Sequence, residues 1–257
     1  MLLVVDVGNS KISFALFDKG NMVQISSLLY SGHAPQETIE SVLNSLYVGK
    51  YNIDSCVASS VVDELNPYLT ASLVNKLNVS PVYICSDMNL GIEIKSHHPE
   101  QFGTDRIANV VAAKNKYKKT PIIVVDSGSA TTFDIIDAEG AFIGGVIMPG
   151  LNMQLNSLAA NTSKLPEIKL DMLQKVQTTI NNDTKKAILS GVVNGHAAAI
   201  EGLIKKCTKE LKEKPYLVGT GGNAILLSKY MNNVKFDIIN PYLTTEGINM
   251  IYELNDD

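Results

Sequence analysis

Asp6 and Asp126 stand in the same local pattern 120 residues apart. Each closes an apolar run, and each is followed by one residue, a glycine and a small polar residue: Asp6-Val7-Gly8-Asn9 and Asp126-Ser127-Gly128-Ser129. Glycine there permits a tight turn out of a buried strand. Turns of that kind leave backbone N–H groups aimed at a common centre, which suits a phosphate. The aspartate at the strand end can hold a cation or a water beside that phosphate. Asp6 is the candidate for a water-mediated Mg²⁺ contact, because this ion keeps several waters and takes few protein carboxylates. An ordinary hairpin also uses aspartate to stabilise its turn, and a single match would favour that simpler account. Two copies, each opening one half of the chain, favour the phosphate.

The elements around these aspartates repeat as well. VVDVGNSKISFALFDKGNMV from Val4 parallels VVDSGSATTFDIIDAEGAFI from Val124, and Asp18 matches Asp137 with a one-residue slip. A strand, a glycine turn and a returning strand are expected in each copy. Two such copies predict an α/β chain of two similar lobes, residues 1–117 and 118–257, facing each other across a cleft. Between the copies the patterning predicts strands over 22–30, 54–61 and 82–85, and helices over 36–46, 64–77 and 105–117. The second half is expected to hold strands at 122–126, 131–136 and 141–148. After a Pro149-Gly150 turn and a helix, residues 165–182 read as partly irregular. A long small-residue helix over 183–212, a strand at 216–218, the turn Gly219-Thr220-Gly221-Gly222, a short helix, a short strand and a terminal helix complete the chain.

Composition narrows the function. Of 257 residues 45% are hydrophobic and 19% charged, enough for a sizeable core, and the formal net charge of -4 offers no field for nucleic acid or an anionic membrane. Phosphate must then be held by local geometry. The N-terminal apolar run reaches Asp6 too soon for a signal peptide, and no stretch is expected to approach the roughly twenty apolar residues that span a bilayer. The three cysteines are dispersed, with Cys56 and Cys85 in apolar runs that read as core. A reduced, cytoplasmic protein is expected.

Other features have plain readings. His97 and His98 lack a nearby third ligand for a metal site. His196, among Gly191, Gly195, Ala197 and Gly202, reads as a packed or interface residue. Gly219-Thr220-Gly221-Gly222 lacks the spacing of a dinucleotide fingerprint, and no Walker-A loop is present.

Taken in order, DVGNS from Asp6, GTDR from Gly103, DSGSATT from Asp126, GGVIMPG from Gly144 and TGG from Thr220 resemble the type III pantothenate kinases. That family belongs to the superfamily of acetate and sugar kinases, heat-shock chaperones and actin. The resemblance implies a duplicated actin-like (ribonuclease H-like) fold with a nucleotide cleft. It implies transfer of the ATP γ-phosphoryl group to the primary hydroxyl of pantothenate, giving 4′-phosphopantothenate and opening coenzyme A synthesis. It also implies a homodimer, Mg²⁺ with the nucleotide, and potassium or ammonium as a monovalent cation. Carried over by position, Asp6, Val7, Gly8, Asn9, Ser10, Lys11, Ile12 and Ser13 form a first phosphate loop, and Ser129 belongs to a second. Asp126 matches the monovalent-cation ligand, while Thr220, Gly221 and Gly222 face the adenosine end. Gly103, Thr104, Asp105 and Arg106 match the pantothenate-binding segment, with Asp105 catalytic, and Thr184 matches a threonine reaching substrate from the partner subunit. Ser10 and Ser129 stand where the family usually has threonine. Ser96 and His98 replace a usual tyrosine and asparagine, which bears on pantothenate binding more than on phosphoryl transfer.

Phosphoryl transfer needs alignment and charge stabilisation more than a strong base. Asp105 is therefore cast as an orienting acceptor that takes the hydroxyl proton late, and Arg106 offers a planar fork for the pantothenate carboxylate. Asp105 could equally cap the helix it begins, and the two roles are compatible. A catalytically silent homologue serving as a regulatory accessory, and a kinase of another small hydroxy acid, are the alternatives.

Overall fold

The computed structural model of the chain describes residues 1–30, 34–46, 50–169, 171, 176 and 178–256. The apolar run Leu2–Val7 forms β1 and turns back into β2 (Lys11–Asp18), which continues into β3 (Asn21–Leu29). The two-residue connection Lys19-Gly20 has positive φ at both positions, the backbone that a tight antiparallel hairpin requires. β4 (Ser55–Ser60) lies parallel to β1, and β5 (Pro81–Tyr83) parallel to β4, giving the order β3-β2-β1-β4-β5. The second half repeats this plan. β6 (Ile122–Ser127), β7 (Ala130–Ile136) and β8 (Phe142–Pro149) form the antiparallel meander, and β9 (Tyr216–Thr220) and β10 (Ile238–Ile239) add in parallel, giving β8-β7-β6-β9-β10. The internal duplication seen in the sequence is thus a duplication of sheet topology.

The slip between the copies has a physical source. Asp6 lies opposite Ser13, and Asp126 opposite Thr132, so the first turn is one residue longer. In both turns the glycine N–H closes the loop, Gly8 to the Lys11 carbonyl and Gly128 to the Ala130 carbonyl, each at 3.0 Å.

The chain divides into two compact units, residues 1–117 with 242–257, and residues 118–241. In the first, alternate β1 residues face opposite ways, as a strand dictates. Leu3, Val5 and Val7 pack with Ile39, Val42 and Leu43 of helix α1 (Pro35–Ser45) and with Leu69 and Leu73 of α2 (Asn66–Leu77). Val4 packs with Ile107, Ala108 and Val111 of α3 (Thr104–Tyr117) on the other face. In the second unit, Ile123, Val125 and Phe133 pack against α4 (Leu151–Ala160), α5 (Thr184–Leu211) and α6 (Ala224–Ser228). Asp183 caps α5 by accepting from the Lys186 N–H at 2.9 Å. The buried stripe Leu189, Val193, Ala197, Ile200 and Ile204 then follows helical spacing.

Three expectations are corrected. Residues 242–257, expected in the second lobe, group with the first. Their helix α7 (Leu243–Glu253) buries Ile248 and Ile251 in the same core as Val4 and Ala108. Gly247 makes that approach possible, because a Cβ there would sit 1.9 Å from the Ala108 carbonyl oxygen. Cys56 is buried, but Cys85 is exposed, since β5 ends at Tyr83 and leaves Cys85 in the following loop. Finally, α5 is long and apolar enough to cross a membrane by length and composition. Half of its most apolar stretch is buried inside the protein, as befits the core helix of the second unit.

Candidate functional site

In the first unit the candidate residues converge on the carboxyl ends of two parallel strands, β1 and β4, where open α/β sheets place ligands. Asp6 is paired in register with Ser59, and the Val61 N–H donates to the Val7 carbonyl at 3.1 Å. The first turn of α3 is fastened to this edge. Thr104 Oγ1 lies 2.8 Å from Ser59 Oγ and donates to the Ser60 carbonyl at 3.3 Å. The strand end therefore fixes where α3 begins, and with it the position of Asp105.

Asp105 is held in a desolvated setting. Its Oδ1 accepts from the Arg106 N–H at 2.8 Å. Burial pushes its carboxyl above the usual aspartate range, against the opposing pull of the Arg106 N–H and guanidinium. Gly103 leaves the space for this carboxylate, since a Cβ on residue 103 would lie 2.5 Å from Asp105 Oδ1. The Arg106 guanidinium stacks over Phe102, 5.3 Å from the ring centroid. That places a proton acceptor of raised basicity beside a cation at a helix start, where anions are also favoured.

The first turn exposes Asn9, Ser10 and Lys11, whereas Ile12 and Ser13 face inward. Ile12 belongs to the core and Ser13 Oγ accepts from Ser27 Oγ at 2.9 Å. Only the first part of that segment thus presents side chains outward. Ser96 Oγ accepts from the His98 N–H at 3.1 Å, and His98 Nδ1 is 3.2 Å from Glu100 Oε1.

In the second unit Asp126 lies opposite Thr220 in the parallel register, and the Asn223 N–H donates to the Ser127 carbonyl at 3.0 Å. Gly221 is glycine for two reasons. Its φ is +84°, and a Cβ would meet Asp126 Oδ1 at 2.3 Å and the Ser127 backbone at 2.7 Å. Gly150 approaches the loop from another side, where a Cβ would meet the Ser129 carbonyl oxygen at 2.3 Å. Asp126, Gly128, Ser129, Thr220 and Gly221 therefore form one close-packed cradle. Thr184 is the exposed first residue of α5, and among the described residues no hydrogen bond ties it to the β6–β7 hairpin.

Residues 2–206 match the family model for type III pantothenate kinase. The chain belongs to the type III pantothenate kinase family. A type III pantothenate kinase of Desulfatibacillum aliphaticivorans is 32% identical over 98% of both chains. Among solved structures, one described as a Baf family transcriptional activator from Campylobacter jejuni has a TM-score of 0.59 at 23% identity over 98% of each chain. Component A of (R)-2-hydroxyglutaryl-CoA dehydratase from Acidaminococcus fermentans has a TM-score of 0.59 at 14% identity over 99% of each chain. These two likenesses bear on the fold, and with the paired sheets they establish the expected duplicated actin-like architecture. The expected reaction class, ATP-dependent phosphotransfer, is that of a pantothenate kinase.

Within this type III pantothenate kinase fold, Ser59 and Ser60 are site-building residues that the sequence motifs do not mark. Their signal is slight: two hydroxyls ending an otherwise apolar strand, SCVASS. His196, expected to be packed or interfacial, is packed, at 1% exposure.

Proposed function

We propose that this chain transfers the γ-phosphoryl group of ATP to the primary hydroxyl of pantothenate, giving 4′-phosphopantothenate for coenzyme A synthesis. The observation that carries the proposal is the half-buried Asp105 carboxylate, seated over Gly103 and adjoining Arg106. A carboxylate with raised pKa accepts a hydroxyl proton more readily as the new P–O bond acidifies it. Arg106, braced by Phe102, pairs with the pantothenate carboxylate and so orients the hydroxyl toward Asp105. Gly103 and Thr104 shape the same substrate segment.

The nucleotide phosphates are assigned to the two aspartate–glycine hairpins, through Asp6, Val7, Gly8, Asn9, Ser10 and Lys11 in one unit and Ser129 in the other. Ile12 and Ser13 support the first loop from behind. Thr220, Gly221 and Gly222 are assigned to the adenosine end. Among the described residues there is no group of three or more His, Cys, Asp or Glu that could cage a metal. A single partly exposed carboxylate at Asp6 suits Mg²⁺ held mainly by phosphate and water; when bound, that ion neutralises phosphate charge. Asp126, against which Gly221 leaves space that a Cβ would fill, is assigned to potassium or ammonium. A cytoplasmic homodimer is proposed, with Thr184 reaching the substrate of the partner subunit.

Coupled ADP release measured with and without pantothenate tests the function. Pantothenate-dependent turnover is expected. ADP release indifferent to pantothenate, or turnover only with another hydroxy acid, overturns the substrate assignment, and no ADP release under any condition indicates a silent homologue. Replacing potassium with sodium is expected to lower the rate; equal rates would remove Asp126 from its cation role.

A further inference from the structure

Behind the β6–β7 hairpin lies a buried polar cluster. Ser127 and Thr131 flank the loop Gly128-Ser129-Ala130 and are cross-strand partners. Both are 1% exposed, and Ser127 Oγ has no hydrogen-bond partner among the described residues. Thr131 Oγ1 lies 3.0 Å from His196 Nε2 on α5. The other ring nitrogen, His196 Nδ1, is 2.6 Å from Gln154 Nε2 on α4, and that amide nitrogen also donates to the Pro149 carbonyl at 3.0 Å.

These bonds assign the tautomer. An amide nitrogen can only donate, so Nδ1 accepts and the ring proton resides on Nε2, donated to Thr131. Burial lowers the His196 pKa to about 4, so the ring is neutral at physiological pH. One imidazole thereby joins three pieces of chain: the start of β7, the β8–α4 turn, and α5. The turn it holds carries Gly150, which packs on the Gly128 and Ser129 carbonyls. The neighbouring α5 positions Val192, Val193, Ala197 and Ile200 are apolar, so packing alone would be served by an apolar residue here.

We propose that His196 is a positioning residue for nucleotide binding: through Thr131 and Gln154 it fixes the spacing between the hairpin loop at Gly128–Ala130 and the turn at Pro149–Gly150. It never touches the nucleotide and acts through the loop. This rests on the assignment of the hairpin as a phosphate cradle.

Titration calorimetry with ATP and, separately, with pantothenate tests it, using the full chain and variants whose circular dichroism is native. His196→Phe is expected to weaken ATP about tenfold while pantothenate affinity stays within twofold. His196→Gln keeps an amide donor for Thr131 and is expected to recover ATP affinity to within about threefold of the parent. Gly128→Ala, whose Cβ would make only ordinary contacts, the nearest at 3.5 Å, probes the cradle itself and is expected to weaken ATP. If Gly128→Ala weakens ATP but folded His196→Phe does not, His196 has no positioning role and the cradle stands. If neither variant alters ATP affinity, both assignments fall. An equal loss for ATP and pantothenate in His196→Phe marks a general structural role and also overturns the proposal. Should His196→Phe not fold, Gln154→Leu removes the bonds to His196 Nδ1 and to the Pro149 carbonyl while leaving that between His196 and Thr131: a several-fold loss of ATP affinity supports the proposal, and unchanged affinity rejects it.

Discussion

The two hairpins are the same device with different surroundings. β1–β2 and β6–β7 share antiparallel pairing, a closing glycine N–H bond of 3.0 Å and a strand-end aspartate, with the first turn one residue longer. They differ at the end of the adjacent parallel strand. β4 ends in Ser59 and Ser60, whose polar groups fasten α3 and so deliver Asp105 to the strand edge. β9 leads into Gly221, packed so closely on Asp126 that no side chain fits. One copy of the scaffold thus presents a carboxylate at the start of a helix, and the other closes backbone around its aspartate. A duplicated fold acquires two roles by changing what is attached to the end of one strand, with the sheet left alone.

The largest effect that would separate the two copies is expected from Asp105→Asn. Turnover should fall about 100-fold or more, while ATP affinity by calorimetry stays within twofold; near-normal turnover would remove Asp105 from the chemistry. The same variant should unfold at a higher temperature at pH 7. The sign follows from the raised folded-state pKa: the stability Asp105 contributes is present at low pH and is lost as pH rises through that pKa. An asparagine avoids burying the charge.

Gly221→Ala attacks the other copy. The positive φ and the 2.3 Å encounter with Asp126 Oδ1 should cost about 1–3 kcal/mol in strain and weaken ATP about tenfold. Gly202→Ala on the exposed face of α5 is the control, because an added Cβ there meets nothing within 4 Å. Equal losses from the two would mean that close packing on Asp126 is not what matters. A smaller effect is expected from Gly103→Ala, which displaces the Asp105 carboxylate without removing it. Turnover should drop about tenfold with ATP affinity unchanged, by loss of alignment. A matching loss of ATP affinity would show that the first unit's acceptor edge and its nucleotide loop cannot be separated.

The smallest effect is in stability. His196 has an ordinary pKa of 6.5, lowered by burial to about 4 in the folded protein. The unfolded chain therefore binds the extra proton across that window, and stability should decline as pH falls from 6.5 toward 4. In His196→Gln the decline over this range should be shallower in thermal melts; parallel curves would assign the acid sensitivity to other groups.

The hairpins were legible because a strand ending in Asp-x-Gly is a local event, written within a few residues. The slip at Asp18 and Asp137 even recorded the shorter second turn, which the registers at Ser13 and Thr132 explain. The role of Ser59 was not legible, since it depends on Thr104, 45 residues away. Nor were the partners of His196, which lie 65 and 42 residues distant in Thr131 and Gln154. The docking of α7 is the same kind of fact. Its apolar stripe says that it packs, and only the space above Ala108 says where. Local patterning thus reports the glycine turns, while the residues that brace those turns are set by which strands and helices come together.

That docking also sets an order of assembly. Residues 118–241 form a unit whose contacts are complete once residue 241 is available, whereas the unit begun by β1 waits for Ile248 and Ile251 to cover the face bearing Val4 and Ala108. During synthesis on the ribosome, the half of the protein that is made first is therefore the half that matures last. Until then it holds an uncovered apolar surface of the sort chaperones recognise.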